Sequence, residues 1–180
     1  MVGLAALVAS VWLALAGGPS APPVSATAEV YFSPSGGATA AVVRELDKAQ
    51  RQVRVLAYSF TSAPIAKALA DAAGRGVDVQ VVLDKSNRTA HYSAADFLVH
   101  HGIATRIDDR HAIAHNKVMV IDGRTVITGS FNFTQAAEAH NAENLLVLDS
   151  PALAQRYLDN WAVHFGHAIP YGPPASVSAR

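Results

Sequence analysis

The chain has 180 residues and no cysteine. Disulfides and thiolate metal sites are therefore excluded, and the fold must rest on its apolar core alone. There is also no excess of either charge, since 14 Lys and Arg stand against 14 Asp and Glu. Tight nonspecific nucleic-acid binders depend on many cationic phosphate contacts, so this balance argues against a packaging or storage protein. It is neutral on an enzyme, which needs only a local basic groove. Residues 1–28 carry no Lys, Arg, Asp or Glu, so every charged side chain lies in the remainder. No internal repeat is present, and any motif occurs once per chain.

The uncharged N-terminus contains an apolar run, Val2 to Ala16, closed by Gly17-Gly18-Pro19 and a stretch of Pro, Ser and Ala. About 15 apolar residues is the length of a signal-peptide core, short of the ~20 that cross a bilayer as a helix. Ala14-Leu15-Ala16 and Ala26-Thr27-Ala28 both offer small-residue cleavage sites, although no Lys or Arg precedes the run. The expectation is a signal peptide and linker over 1–28 and a periplasmic or secreted product. An uncleaved inner-membrane anchor is the alternative, and membrane contact is expected only in that case. Residues 168–180 read as a flexible tail, which leaves 29–167 as one domain. A hydrophobic content of 51% is enough for its core.

Within the domain, strand and helix patterns alternate. Glu29–Phe32, Val53–Tyr58, Val77–Leu83, Ala104–Ile107, Lys117–Ile121, Thr125–Thr128 and Glu143–Asp149 read as strands. Thr39–Gln50, Ala63–Gly74, Ala94–His101, Thr134–Ala139 and Pro151–Phe165 read as helices, the last opened by Ser150. The βαβ character of the first half and the hairpin around Asp122-Gly123 predict an α/β sandwich with a mixed central sheet covered on both faces.

The chemistry is concentrated in His115-x-Lys117-x4-Asp122-x6-Gly129-Ser130-x-Asn132. An imidazole, a fixed cation and two small polar donors suit attack on a phosphate diester. On an extended segment His115 and Lys117 share a face about 6–7 Å apart, while Asp122 has the opposite parity. Asp122 is therefore expected to support the hairpin rather than touch a phosphate. Ser130 and Asn132 share a parity, Phe131 and Phe133 face the core, and Gly129 is expected to let the backbone approach a ligand. Each residue alone has an ordinary surface or turn explanation; the fixed spacing of all six does not.

These residues identify the chain as resembling the phospholipase D superfamily, and within it the small single-motif bacterial endonucleases of the Nuc type. The resemblance runs from about Glu29 to Phe165 and includes Val81-Val82-Leu83-Asp84-Lys85, Tyr92-Ser93-Ala94-Ala95 and Asn141-Ala142-Glu143-Asn144. It implies a phospholipase D-like α/β/α sandwich and a two-step reaction without metal. A histidine attacks phosphorus, a second histidine protonates the leaving oxygen, and water releases the phosphohistidine. Lys117, Ser130 and Asn132 would bind the nonbridging oxygens, and Glu143 matches a carboxylate that in relatives orients a catalytic histidine. No cofactor is implied.

Two histidines are needed and the motif occurs once. His111 lies four residues from His115, about 13 Å along a strand, too far to share one phosphorus. His91, His100, His101, His140, His164 and His167 lack the Lys and Gly-Ser neighbours and read as incidental. A homodimer apposing two copies of His115 across a two-fold axis is the economical solution. A metal site built on His111-x3-His115 is the chemical competitor, but the Val/Ile pattern is β and no nearby Asp, Glu or His completes a set. Lys85, Arg88, Arg106, Arg110 and Arg124 are expected to end near the motif and line a groove for a phosphodiester backbone. Lys85, Arg88 and Arg110 are the candidate substrate contacts. A nonspecific nuclease of DNA or RNA is the leading expectation. A phospholipase D or cardiolipin-type lipid hydrolase and a dimeric nucleic-acid-binding module are the alternatives.

Overall fold

A computed structural model describes residues 26–90 and 93–172. Its strands are β1 (Thr27–Ser33), β2 (Gln52–Ala57), β3 (Asp78–Asp84), β4 (Ala104–Asp108), β5 (Lys117–Ile121), β6 (Thr125–Gly129), β7 (Glu143–Asp149) and β8 (Ile169–Pro170). The helices are α1 (Ala38–Lys48), α2 (Ala63–Gly74), α3 (Ala95–His100), α4 (Gln135–Ala139) and α5 (Pro151–His167). All eight strands form one sheet in the order β1-β7-β6-β5-β2-β3-β4-β8. β2, β3 and β4 are parallel, while β5, β6, β7 and β1 continue antiparallel from the β2–β5 pairing.

The strand period of two divides the core between the two faces. On β5, Met119 and Ile121 enter a large cluster with Leu46 of α1, Leu69 of α2, Leu98 of α3 and Ala137 of α4. Val118 and Val120 enter a second cluster beneath α5, with Leu56, Val82, Val126, Ala154 and Trp161. The sheet is thus covered on both faces, an α/β/α sandwich with a mixed sheet, as its sequence pattern predicts.

α5 begins at Ser150, whose hydroxyl accepts the Leu153 N–H at 3.4 Å, with Pro151 at the first helical position. Trp161 stacks on Phe165 at 4.6 Å and donates its indole N–H to the Val55 carbonyl at 3.2 Å. Arg54 and Arg106 pack on these two rings, at 5.2 and 4.0 Å from the centroids. Cation–π packing and one buried hydrogen bond therefore reinforce the apolar seam between α5 and the sheet.

Both ends of the domain are more ordered than the sequence suggests. β1 begins at Thr27, opposite Asp149, two residues ahead of the expected strand. The expected loose tail is corrected over its first residues: Ala168 is buried, and Ile169 pairs with Ile107. Tyr171 donates its N–H to Thr105 and its hydroxyl to Asp96, each at 2.9 Å. Tail residues with so few apolar positions give no local signal for this; the pairing comes from the free edge of β4. The expected signal segment lies outside the described residues up to position 25, as does the tail from 173. Among the described residues no helix is long and apolar enough to cross a membrane.

Trp161→Ala is expected to lower unfolding free energy by about 3–5 kcal/mol, because it opens a cavity under α5 and removes the indole hydrogen bond to the Val55 carbonyl. A urea unfolding midpoint measures this, and an unchanged midpoint would refute the role given to the α5 seam.

Candidate active site

The β5–β6 hairpin brings the two ends of the motif together. Val118 pairs with Thr128 and Ile121 with Thr125, so the start of β5 stands beside the end of β6. β7 lies next, with Leu145 opposite Gly129. His115, Lys117, Gly129, Ser130, Asn132 and Glu143 line one open depression of about 460 Å³ at this end of the sheet. Phe131 and Phe133 alternate with the polar pair and are fully buried, which anchors Ser130 and Asn132 at the surface.

His115 and Lys117 make direct contact. The Lys117 ammonium lies 3.0 Å from His115 Nε2 and 3.2 Å from the His115 carbonyl. A protonated lysine has only donors, so Nε2 accepts and the imidazole proton sits on Nδ1. Lys117 is buried, and its ammonium lies 5.4 Å from the centre of the Tyr58 ring. His115 meets the same ring edge-on at 4.6 Å. Burial lowers the Lys117 pKa from its usual value, and the nearby Glu143 carboxylate opposes that shift.

Glu143 is oriented differently from the expectation. Its Oε2 accepts the Ser130 hydroxyl at 2.6 Å and its Oε1 accepts the Asn141 amide at 3.1 Å. Ser130 Oγ in turn accepts the Asn144 N–H at 3.1 Å and its side-chain amide at 3.3 Å. Within this chain the carboxylate thus holds a serine, not a histidine. Asn132 lines the depression, and its Oδ1 is buried without a hydrogen-bond partner.

Two residues of the motif serve the backbone. Gly129 has φ +150°, and a Cβ there would stand 2.3 Å from the Asn144 carbonyl oxygen. That same oxygen accepts the N–H groups of Ser130 and Phe131 at 3.1 and 3.2 Å. The glycine is therefore required by close approach of β7, a role in addition to its place in the lining of the depression. Asp122 sits in the hairpin turn at the far end of β5, with φ +53°. Its carboxylate accepts the N–H groups of Gln50, Arg51 and Gln52 at 2.8–3.0 Å, tying the hairpin to the segment before β2.

Lys85, Arg88 and Arg110 follow the C-terminal ends of β3 and β4, the sheet end that carries His115. None of them lines the depression. Lys85 donates to the His111 carbonyl at 3.1 Å, whereas Arg88 and Arg110 are exposed. Two other expected groove residues are elsewhere. Arg106 binds the carbonyls of Phe165 and Ala168 at 3.0 and 3.2 Å, and Arg124, in the hairpin turn, pairs with Asp149 at 2.8 Å.

The reading of His164 and His167 as incidental is also corrected, and His111, set aside as too far from His115 to share a phosphorus, joins them. All three converge on Asp108, a residue the sequence reading did not single out. The only local signals were the i,i+3 spacings Asp108-His111 and His164-His167; the two pairs are some fifty residues apart. Burial pushes the Asp108 carboxyl up, but the three imidazoles gathered at its oxygen, His164 foremost, outweigh this and hold it well below the usual carboxylate range. His91 lies outside the described residues.

The family model described as "Cardiolipin synthase, PLD-like domain" matches residues 42–163, a span containing every residue of the depression. The chain belongs to this phospholipase D-like family. It is 43% identical over 130 residues to a phospholipase D of Rickettsia conorii, covering 72% of this chain and 65% of that relative. It is 34% identical over 110 residues to the mitochondrial cardiolipin hydrolase of Xenopus tropicalis, covering 61% and 52%. The chain thus spans less than two thirds of the length of these curated relatives. Among solved structures it is similar to Nuc of Salmonella typhimurium, a phospholipase D family member. The TM-score there is 0.80 and the identity 39%, over 83% of this chain and 100% of that one. NucT from Helicobacter pylori shares the fold, with a TM-score of 0.76 at 22% identity over 82% and 100%.

Burial raises the Asp122 pKa, but the three backbone donors and the nearby Arg51 charge reverse this, leaving it below its usual value. A depressed folded pKa stabilises the fold fully above the unfolded value of about 4, and that stability is lost as pH falls through the folded value. Asp122→Asn is therefore expected to cost about 1–2 kcal/mol at neutral pH, since it weakens charge-assisted bonds. The gap to the wild type should close in acid. Chemical denaturation at neutral and acid pH measures both, and a gap that stays constant would refute the ionic contribution.

Proposed function

We propose that the chain is a metal-independent phosphodiesterase that hydrolyses nucleic acid, DNA above all, through a phosphohistidine on His115. The contact between the Lys117 ammonium and His115 Nε2 carries this reading. It sets the tautomer, so the lone pair of the attacking nitrogen faces the depression's cation. An arriving phosphate exchanges partners: its nonbridging oxygens take the Lys117 ammonium, and Nε2 is released toward phosphorus. Lys117 and Asn132 then stabilise the charge of the pentacovalent state, and Ser130 joins them by turning its hydroxyl from Glu143. Asp122 and Gly129 act on this chemistry only through the backbone they hold.

The Nε2–P bond forms as the P–O bond to the leaving group breaks, and the leaving oxygen takes a proton from a second imidazolium. That imidazole, now neutral, removes a proton from water, which attacks phosphorus and breaks the P–N bond. Among the described residues His115 is the one histidine of the depression. The second imidazole is therefore assigned to His115 of another copy across a two-fold axis. Lys85, Arg88 and Arg110 favour a polyanionic, extended substrate bound without base reading. The names of the relatives favour lipid phosphodiesters as the second reading, since the same chemistry serves both. The apolar run Val2 to Ala16 would deliver the enzyme to the periplasm or the exterior.

His115→Ala is expected to abolish hydrolysis, by a factor of about 10³ or more, while leaving DNA binding in place. Mixing that variant into wild-type protein tests the shared site. Activity should fall with the square of the wild-type fraction if one reaction needs two His115 side chains, and a linear fall would refute the shared site.

Hydrolysis should also persist in excess chelator at temperatures well below unfolding, on plasmid DNA, single-stranded DNA, RNA and phosphatidylcholine assayed side by side. Loss of turnover with the protein still folded would refute metal independence. Turnover of the lipid alone would replace the nucleic-acid reading with the second one.

A further inference from the structure

Asp108 is fully buried at the end of β4, and one of its oxygens is the focus of three imidazoles. Oδ2 lies 2.9 Å from His111 Nδ1, 2.7 Å from His164 Nδ1 and 3.1 Å from His167 Nε2. Its other oxygen accepts the Arg110 N–H at 3.1 Å. A carboxylate oxygen has two lone pairs, enough for two well-aligned hydrogen bonds. The third imidazole is left over. His167 Nε2 is buried and, despite its 3.1 Å approach, makes no hydrogen bond in this geometry.

We propose that Asp108, His111, His164 and His167 bind one divalent cation of the zinc class, which clamps the β4–β5 connection to the end of α5. The four donor atoms all lie within 4.8 Å of one another. The edge of a tetrahedral zinc site is roughly 3.3 Å, so a closing of about 1.5 Å in the widest pair completes the set. Three imidazoles and one carboxylate suit zinc, cobalt or nickel, whereas magnesium and calcium prefer all-oxygen shells. His164 and His167 stand at i,i+3 in the last turn of α5, where the helix dipole also favours a cation. The His111 side chain is 46% exposed and gives the ion a way in, while Asp108 supplies the buried anion.

The site has a structural consequence for the depression without reaching its reacting atoms. His111 and His115 lie on the same connection, which is already held by Asp84 on the Ala114 N–H at 2.7 Å and by Lys85 on the His111 carbonyl. A cation at Asp108 adds a third tie, the one that runs from that connection to α5. The ion would thus stiffen the approach to His115 and take no part in phosphoryl chemistry.

The test uses the whole purified chain, stripped with chelator and titrated separately with Co²⁺, Zn²⁺ and Mg²⁺. One equivalent of Co²⁺ should give the visible bands of a tetrahedral nitrogen and oxygen site. Zn²⁺ in hundredfold excess over its Kd should raise Tm by about 5–10 °C, and Mg²⁺ should leave it unchanged. His167→Gln and the surface-accessible His111→Gln should each weaken binding more than tenfold, with circular dichroism checking their fold, and His115→Ala should bind as the wild type does. Absence of saturable binding at one equivalent, or equal affinity in the two glutamine variants, overturns the proposal. So does loss of binding in His115→Ala, which would put the ion in the depression.

Discussion

The Lys117 ammonium stands at the head of a strand whose five residues are all buried, and the catalytic end of the molecule is organised around it. A charge taken out of water is costly unless it gains partners. Here the partners are His115 Nε2, the His115 carbonyl, the face of Tyr58 and the field of Glu143. Each of these is also a group that the proposed reaction uses or that holds one in position. The cation is thus stabilised in the resting protein by the same lone pair that a phosphate would displace, and binding and activation become one exchange.

The spacing of the motif follows from strand geometry. Five residues carry β5 from Lys117 to the turn, Asp122 fastens that turn to the chain before β2, and five residues of β6 return to Gly129. Ser130 and Asn132 then arrive beside His115 because the register Val118 to Thr128 is fixed by burial on both faces. A slip of one residue would turn Met119 and Ile121 toward α5 and Lys117 with them. Asp122 contributes from the far end of the strand: it sets the register that the chemistry at the near end depends on.

Legibility in the sequence tracked the range of the contacts. Alternation on β5, the burial of Phe131 and Phe133 and the hairpin turn are local, and all could be read from residue order. The role of Gly129 could not, because the atom it avoids is the carbonyl of Asn144 on another strand. Arg124 lies within the span of the motif yet in the hairpin turn, at the opposite end of β5 from His115. β8 and the Asp108 cluster depend on α5 returning to β4 over more than fifty residues, and neither half of such a contact carries a pattern of its own.

A two-fold arrangement of the depression resolves a difficulty that one chain cannot. The proposed reaction asks for a neutral imidazole and an imidazolium at the same phosphorus, roles that usually require two different environments. Two copies of His115 begin in identical environments, each with Lys117 on Nε2. Symmetry is broken by the substrate: its phosphate oxygens take both lysines, one Nε2 is released toward phosphorus, and the other takes a proton from solvent and faces the leaving oxygen. Direction on the nucleic-acid strand, rather than any difference between subunits, would then decide which histidine attacks. Because the second imidazole loses its proton in the first step and regains one in the second, the pair returns after each turnover to the state in which it bound the phosphate, and the next substrate sets the roles afresh.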